Sequence, residues 1–516
     1  MLKIITSISC VLLSSCMVGP NYKEPKKPVV AHWQKNPSVR ETAFKNPLWW
    51  QVFHDPILTS LVNQGYQTNI SLQIAGVRVL QARAQLAQSV GELYPQQQAL
   101  QGNYAYNRIG GSSLQGFLPQ SFDTALMGFA ANWELDFWGK YRRAIQANDA
   151  SFFASLAAYD NALVTLTADV ASSYIKIRTI EQQIKVTKAN IQIQFVSLKI
   201  ARSRFNAGQT SLVDVEQAKT ELAETQSKLP SLVSDLQRQK DNLSLLLGMV
   251  PNGVDNILAK NHGIPKAPQT IAVGIPVETL TRRPDVFQAR QEAIAQSAAI
   301  GVAKANLYPS FSLTGTFAFT SNNIDNSSIG DIFRWSNRTI NAGPAINWSV
   351  FNYGQLTNAV RIQDATFQQS VLNYMNLVLK AQQEVQDNIT AYIEAKKAER
   401  FLVQANYSAT KTLKLTLVRY KEGETDFTPV LDAEQQLLRI QTSLVNAQGD
   451  IPQALVALYR ALGGGWEIRK GNDVVAQQIK QEMAARTNWG TLLTQRNHEA
   501  PVTKGQQLNQ LYLPKW

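Results

Sequence analysis

Two halves of this chain repeat each other at a fixed distance, and this repetition limits the possible folds more than any other feature of the sequence. Asn132-Trp133 recurs 215 residues later as Asn347-Trp348, whereas Leu93-Tyr94-Pro95 recurs after 214 residues as Leu307-Tyr308-Pro309. A period this long far exceeds the roughly 20–50 residues of solenoid repeats. It therefore predicts one large unit that is duplicated and packed against itself. Further pairs spaced by 215 are Gly139 and Gly354, Arg204 and Arg419, Gly208 and Gly423, Thr210 and Thr425, and Gly248 and Gly463.

Both halves also carry long patterns in which an apolar residue recurs at every seventh position. Sustained heptads predict supercoiled helices that pack in antiparallel pairs, here over about 139–206, 211–248, 354–421 and 428–462. The longest would extend about 100 Å at about 1.5 Å per residue. An ordinary helical bundle is the alternative that heptads alone leave open. The longest run is Leu156, Leu163, Val170, Ile177, Ile184, Ile191, Leu198 and Phe205.

Four segments alternate apolar residues with small or polar ones, which predicts β-strands at about 98–108, 124–135, 310–320 and 340–350. This pattern fits strands between lipid and a water-filled interior, although a soluble antiparallel sheet is an alternative. Because four strands cannot close a barrel, strands in a membrane would require several copies of the chain to share one. Two copies would supply eight strands and three would supply twelve.

The N-terminus has the form of a bacterial secretion signal for a lipoprotein. Residues 1–15 combine Lys3 with an apolar stretch that is too short to span a bilayer. The stretch ends in Leu13-Ser14-Ser15-Cys16, where small residues precede a cysteine that can receive lipid. We therefore predict that Cys16 becomes the lipidated N-terminus; an ordinary signal peptide is the alternative. Met17 stands where an Asp would oppose transport, which favours delivery to the outer membrane.

Composition argues against several classes of function. The net charge of +12 is spread along the chain without a compact basic block, which disfavours nucleic-acid binding in an exported protein. The four histidines lack the spacing of metal ligands: His32, His54, His262 and His498. The chain has no catalytic motif, so we expect neither an enzyme nor a cofactor or metal site. No segment after residue 16 is apolar enough for a transmembrane helix.

Several motifs resemble those of the TolC-type outer-membrane efflux channels, specifically the lipoprotein branch that serves resistance-nodulation-division tripartite pumps. The resemblance covers nearly the whole mature chain, and the combination of lipobox, RRPD motif and duplication is specific. The motifs are Met17-Val18-Gly19-Pro20-Asn21-Tyr22 after the cysteine, Thr281-Arg282-Arg283-Pro284-Asp285-Val286 in mid-chain, Leu307-Tyr308-Pro309 before a strand, and Arg419-Tyr420, Gly423 and Val430-Leu431-Asp432-Ala433 near the second helical turn.

The resemblance implies an α+β membrane protein that assembles as a homotrimer. Three chains would build one 12-stranded barrel in the outer membrane, continued by a long α-helical tube across the periplasm. Residues 16–305 would form the first structural repeat and 306–465 the remainder of the second, followed by a belt and C-terminal tail at 466–516. The belt would combine residues around 30–65, 250–283 and 465–500. The implied partners are a periplasmic adaptor, an inner-membrane pump and outer-membrane lipid.

The resemblance also implies a gate at the periplasmic end of the tube, where carboxylates from three chains form rings. It assigns Asp214 and Asp432 to this gate, with Asp426 nearby. Like charges close to one axis repel each other and attract cations. A structural role is the alternative for Asp214, because Ser211-x-x-Asp214 also resembles a helix-capping box.

Gly208 and Gly423 follow the two long helices, so we expect both to adopt positive φ and to form the tip turns. The resemblance adds docking of an adaptor at these tips. It implies a passive exit duct for drugs or other small molecules. An exit duct for type I protein secretion and a lipid-anchored coiled-coil scaffold without a pore are the other functions left open. The alternating segments favour a duct, because a scaffold has no use for lipid-facing strands.

Overall fold

Long α-helices and one four-stranded sheet make up most of the computed structural model, which describes residues 17–26, 28–33, 37, 39–41, 48–110, 119–259, 263–324 and 328–494. The helices are α1 (Pro56–Thr68), α2 (Ile70–Gly91), α3 (Lys140–Asn206), α4 (Leu212–Leu246), α5 (Asp255–Leu258), α6 (Pro276–Arg282), α7 (Pro284–Ala305), α8 (Gln355–Glu422), α9 (Thr428–Ala461) and α10 (Gln477–Arg486). The strands are β1 (Val39–Glu41), β2 (Gln97–Arg108), β3 (Ser121–Leu135), β4 (Ile271–Val273), β5 (Ser310–Asn322) and β6 (Arg338–Asn347).

Helices α3 and α8 set the length of the molecule. They contain 67 and 68 residues, so each extends about 100 Å. Along α3, the shorter helices α2 and α4 follow one another, and α7 and α9 do the same along α8. Helix α3 also packs against α7 and α9, which joins the two halves side by side. The four long helices begin and end within two residues of the bounds that the heptads predicted.

The heptad residues face the contacts between these helices. Leu163, Val170 and Ile177 of α3 are completely buried, as are Val378 and Ile389 of α8. The exception is the last residue of the longest run, because Phe205 is 40% exposed in the final turn of α3. The apolar pattern therefore continues one step past the packing that one chain provides.

The sheet follows the order β2-β3-β5-β6, with every neighbouring pair antiparallel. Strands β2 and β6 leave both edges of this sheet open. Large apolar side chains remain exposed on it, including Leu100, Phe129 and Ile340. One predicted boundary is wrong: β6 ends at Asn347, so Trp348 lies beyond the strand that alternation had extended to residue 350. The reason is a contact outside the sheet, because the Trp348 indole donates to the Leu307 carbonyl.

The main core lies at mid-height, where short segments wrap around α3. Trp49 and Trp50 are completely buried there, and Trp49 stacks on Tyr459 with ring centroids 5.4 Å apart. A second, smaller core lies near the turns α3/α4 and α8/α9. In the residues that the structure describes, no helix is both long enough and apolar enough to cross a membrane.

Candidate functional site: the tips of the helical hairpins

The two hairpins, α3/α4 and α8/α9, reverse direction in short turns that contain glycine. Gly208 has a φ of 71° and Gly423 has a φ of 85°. Glycine is favoured at both because other residues rarely adopt this left-handed backbone. Both residues have the positive φ that the sequence predicted. The two turns are neighbours, since a Cβ on Gly423 would lie 3.4 Å from the Arg204 guanidinium of the other hairpin.

Tyr420 of α8 links the two hairpins just above these turns. Its hydroxyl donates a hydrogen bond of 3.1 Å to the Asp214 carboxylate, which belongs to α4. The Thr210 hydroxyl donates to the same carboxylate oxygen. Arg204 of α3 completes the contact: its guanidinium lies 4.6 Å from the centre of the Tyr420 ring and donates to the Tyr420 carbonyl. Three helices from both hairpins therefore meet at one tyrosine, and we call these four residues the tip tie.

The tip tie is buried within a single chain. Tyr420 is 1% exposed and Asp214 is 7% exposed. Burial, together with the neighbouring Asp214 carboxylate, raises the pKa of Tyr420 to about 12. The hydroxyl consequently stays protonated and able to donate across the neutral range. A hydrogen bond to a charged group typically contributes about 1.5–3 kcal/mol.

The three predicted gate acids occupy two different environments. Asp214 is inside the tip tie, and Ser211 caps α4 without a side-chain hydrogen bond, so Asp214 accepts from Thr210 where a capping box would have used Ser211. Asp426 lies in the second turn and Asp432 in the first turns of α9, and both are exposed. Within the described part of the chain, the structure records no hydrogen bond or ion pair for either of them.

Sequence reasoning missed two members of the tip tie. Tyr420 was predicted only as a heptad residue, and Arg204 only as one of a pair spaced by 215. That spacing was a usable signal, but it did not reveal that the two arginines act differently. Arg204 is inserted against Tyr420, whereas Arg419 is 62% exposed and pairs with Glu424 at 3.3 Å.

A second missed feature is a polar seam between α3 and α9, the two helices that join the hairpins. Side-chain hydrogen bonds recur along it: Ser172 with Gln453 (2.7 Å), Asn190 with Gln441 (2.7 Å) and Ser197 with Glu434 (2.5 Å). Heptad analysis followed apolar residues only and so overlooked a parallel polar series on α3. That series is Gln183, Asn190, Ser197 and Arg204, again spaced by seven.

At the opposite end of the long helices, the chain passes from strand to helix through aromatic contacts. The Trp133 indole donates to the Leu93 carbonyl at 3.2 Å, and the Trp348 indole donates to the Leu307 carbonyl at 3.1 Å. Each tryptophan thus fixes the end of a strand to the preceding helix. We call this region the strand-side end.

The N-terminal segment is attached to the same strand-side end. The Val18 amide donates to the Trp138 carbonyl at 3.1 Å, and Met17 packs so closely on Gly139 that a Cβ there would lie 3.0 Å from the Met17 Cα. Arg143 of α3 holds the segment by donating to the Val18 carbonyl at 3.1 Å. The predicted signal peptide and lipidated Cys16 precede this segment and lie outside the described residues.

No group of three or more histidine, cysteine, aspartate or glutamate side chains in the described ranges is arranged to hold a metal ion. The tips and the seam are instead built from hydrogen bonds that join helices. This arrangement can hold two hairpins together and release them, and it offers no group placed for covalent chemistry.

Comparisons with known proteins agree with this architecture. The chain matches the family model described as outer membrane efflux protein over residues 61–249 and 275–464. It is 29% identical over 498 residues to the probable efflux pump outer membrane protein TtgC of Pseudomonas putida, covering 94% of this chain and 98% of that protein. It is 27% identical over 477 residues to the probable outer membrane lipoprotein SilC of Salmonella typhimurium, covering 90% of this chain and 99% of that one.

Among solved structures, the outer-membrane channel OprN superposes with a TM-score of 0.80 at 27% identity, covering 88% of this chain and all of that one. The family match extends over both long hairpins and the helices that precede them, which is well over half of the sequence. The chain therefore belongs to the outer membrane efflux protein family.

Proposed function

We propose that this protein is the exit duct of a tripartite efflux system, through which drugs or other small molecules pass passively to the exterior. The observation that carries the proposal is the tip tie, which joins two hairpins by contacts that can be released about 100 Å from the sheet. The names of its relatives support it, because TtgC is described as an efflux pump outer membrane protein. A scaffold without a pore would need neither a lipid-facing sheet nor a tip that can open.

The duct would be a homotrimer. The support comes from the open edges of the sheet at β2 and β6, since unpaired strand edges are very costly in lipid. Three copies of four strands would close a 12-stranded barrel with a lumen. Helix α8 also leaves a row of apolar side chains exposed, suited to contact with a neighbouring copy: Ile362, Leu372, Leu379, Phe401, Tyr407 and Leu415.

The internal duplication is part of the same proposal. The two segments that match the family model begin 214 residues apart, at 61 and 275, and end 215 apart, at 249 and 464. Contacts at the helix junctions support it as well. Asn69, which caps α2, donates to the Leu246 carbonyl at 2.9 Å, and Arg283, which precedes α7, donates to the Ala461 carbonyl at 2.8 Å. These residues are related by the same offsets of 214 and 215.

The belt would consist of the short segments at mid-height. β1 pairs with β4 in parallel, and the Trp33 indole donates to the Gly274 carbonyl at 2.7 Å. Arg469 forms a buried ion pair with Asp160 of α3, which attaches the third segment to the long helix. These contacts support a collar that braces the tube and leaves the tips free to move.

The lipid anchor would be Cys16, adjacent to a segment fixed at the strand-side end. Because Val18 and Met17 contact the junction between sheet and helix, acyl chains on the preceding residue would enter the same membrane as the sheet. SilC supports this part of the proposal, because it is described as an outer membrane lipoprotein.

The periplasmic gate would combine two kinds of acid. Asp426 and Asp432 are exposed and could form rings of charge in a trimer. Asp214 would contribute through the tip tie, by holding Tyr420 and thereby the two hairpins. A periplasmic adaptor docking on the turns at Gly208 and Gly423 would release the tie, and an inner-membrane pump would supply the energy that the duct lacks.

The mature protein, extracted from outer membranes in mild detergent, tests this function by its native mass and its conductance. We expect the mass of a trimer and, in planar bilayers, a small conductance that grows when the tip tie is removed by Asp214→Ala. A folded monomer, or a trimer that stays non-conducting with Asp214→Ala, would contradict the duct and favour a scaffold.

A further inference from the structure

Two buried carboxylates meet at the polar seam, one layer above the tip tie. Glu221 of α4 is 4% exposed and Glu434 of α9 is 1% exposed, within a single chain. Each accepts from α3: the Gln194 amide donates to Glu221 at 3.1 Å, and the Ser197 hydroxyl donates to Glu434 at 2.5 Å. The Gln435 amide donates to the second oxygen of Glu221 at 2.7 Å. One polar layer thus joins the first hairpin to the second.

This layer contains more acceptors than donors. The amide oxygen of Gln194 is buried and has no donor, although its amide nitrogen is bonded to Glu221. No ion pair is recorded for Glu221 or Glu434 among the described residues. Two ionised carboxylates side by side in a buried site are strongly unfavourable without a cation. The layer therefore lacks one positive charge and one donor.

Charged groups on the surrounding helices do not supply that charge. Lys199 of α3, Lys414 of α8 and Arg439 of α9 are exposed, and so is the acidic Asp432 of α9. Lys219 of α4 is paired with the exposed Glu216 at 2.5 Å. Glu221 is the charged group whose field acts on Glu434.

We propose that Glu434, together with Glu221, forms a proton-binding site and that the bound proton holds the two hairpins of one chain together. A proton on the pair removes one of the two negative charges and provides the missing donor. Burial, followed by the field of Glu221, raises the pKa of Glu434 from 4.5 to about 7. The proposal rests on the duct function, because separation of the hairpins is what would open the tip.

The proton would make the tip sensitive to pH in a definite direction. When the hairpins separate, water reaches Glu434 and its pKa returns towards 4.5, so the closed tip binds the proton more tightly. As pH rises from about 4.5 to about 7, the closed tip loses its advantage, by at most about tenfold per pH unit for each chain. Above about 7 both states are ionised and the equilibrium stops changing.

Glu434→Gln tests the site because the amide has the same shape and stays neutral at every pH. In planar bilayers we expect the conductance of the wild-type channel to rise between about pH 5 and pH 7 and then level. Glu434→Gln should keep a low conductance throughout. Glu221→Gln should move the rise to lower pH, because the repelling charge is gone. The matched control is Glu224→Gln, an exposed residue of the same helix, which should behave as wild type.

A second measurement reads the proton directly and does not depend on conduction. Infrared difference spectra between about pH 5 and about pH 8 should contain a buried protonated carboxyl band in the wild type and the control, absent from Glu434→Gln. Absence of this band from the wild type, or an unchanged pH response in Glu434→Gln, would overturn the proton site. Failure of the duct function is distinguishable, because then even Asp214→Ala would not conduct.

Discussion

The strand-side end and the tips lie at opposite ends of the same helices, yet residues 215 apart are used alike at one end and differently at the other. At the strand-side end, Trp133 and Trp348 each donate to the carbonyl of a preceding helix end, at 3.2 and 3.1 Å. At the tips, Arg204 is inserted against Tyr420 whereas Arg419 is exposed. The position that corresponds to Asp214 is Pro429.

This difference indicates that the two ends have different tasks. An end that repeats its contacts in both halves distributes load evenly and serves as a frame. An end that concentrates its contacts in one tyrosine can be released by the loss of a few hydrogen bonds. The four predictions below test whether that division of tasks holds, from the largest effect on stability to the smallest.

The largest loss should follow from Arg283→Ala, at the junction between α7 and α9. Arg283 is 6% exposed, forms ion pairs with Asp285 (2.6 Å) and Glu384 (2.8 Å), and donates to the Ala461 carbonyl. Removing one member of a buried pair typically costs about 3–5 kcal/mol. Urea unfolding of the protein in detergent, followed by circular dichroism, measures the loss.

Asn69→Ala is the matched change in the first half, because Asn69 caps α2 and donates to the Leu246 carbonyl. It should cost only about 1–2 kcal/mol, since no ion pair is broken. Equal losses in the two variants would show that the halves are joined by equivalent junctions, against our expectation.

Tyr420→Phe should weaken the tip and leave the strand-side end unchanged. It removes the hydroxyl that donates to Asp214, at a cost of about 1.5–3 kcal/mol, and should increase the conductance in planar bilayers. Phe205→Tyr is the control, because Phe205 lies 215 residues earlier and is 40% exposed. A conductance that rises equally in both variants would refute a specific role for the Tyr420 hydroxyl.

Trp133→Phe and Trp348→Phe should have equal and modest effects. Each removes one indole donor to a carbonyl, worth about 1 kcal/mol, and neither should change the conductance. Unfolding curves of the two variants provide the comparison. If only one of them were destabilised, the strand-side end would not be the evenly loaded frame described above.

Asp432→Asn should leave stability nearly unchanged, because the side chain is exposed. Its effect should appear in block of the channel by divalent cations, which a ring of three carboxylates would favour. Asp426→Asn tests the second exposed acid in the same way. Unchanged block in both variants would remove these residues from the gate.

Much of the fold was predictable because two periodicities are strong in this sequence. Spacing by seven located the four long helices, and alternation located four strands to within a few residues. The end of β6 was wrong because Trp348 is held by the Leu307 carbonyl, a contact that alternation does not reveal. The buried end of a pattern was also overestimated at Phe205, where one chain provides no further packing.

The candidate site was less predictable because its contacts join distant parts of the chain. Asp214 was identified by its motif, but its partner Tyr420 lies 206 residues away in sequence. Whether an acid faces solvent or a buried tyrosine depends on how two hairpins pack, which no local pattern states. Glu434 escaped notice for the same reason, because its neighbour Ser197 is 237 residues away.

The most direct test of the central claim compares the conductance of Arg204→Ala with that of Arg419→Ala. Both variants lose one arginine from equivalent places in the two halves, and both arginines lie within three residues of a helix end. Our account predicts a large rise in conductance for Arg204→Ala and a nearly wild-type conductance for Arg419→Ala. Equal conductance in the two variants would contradict a gate that depends on the tip tie.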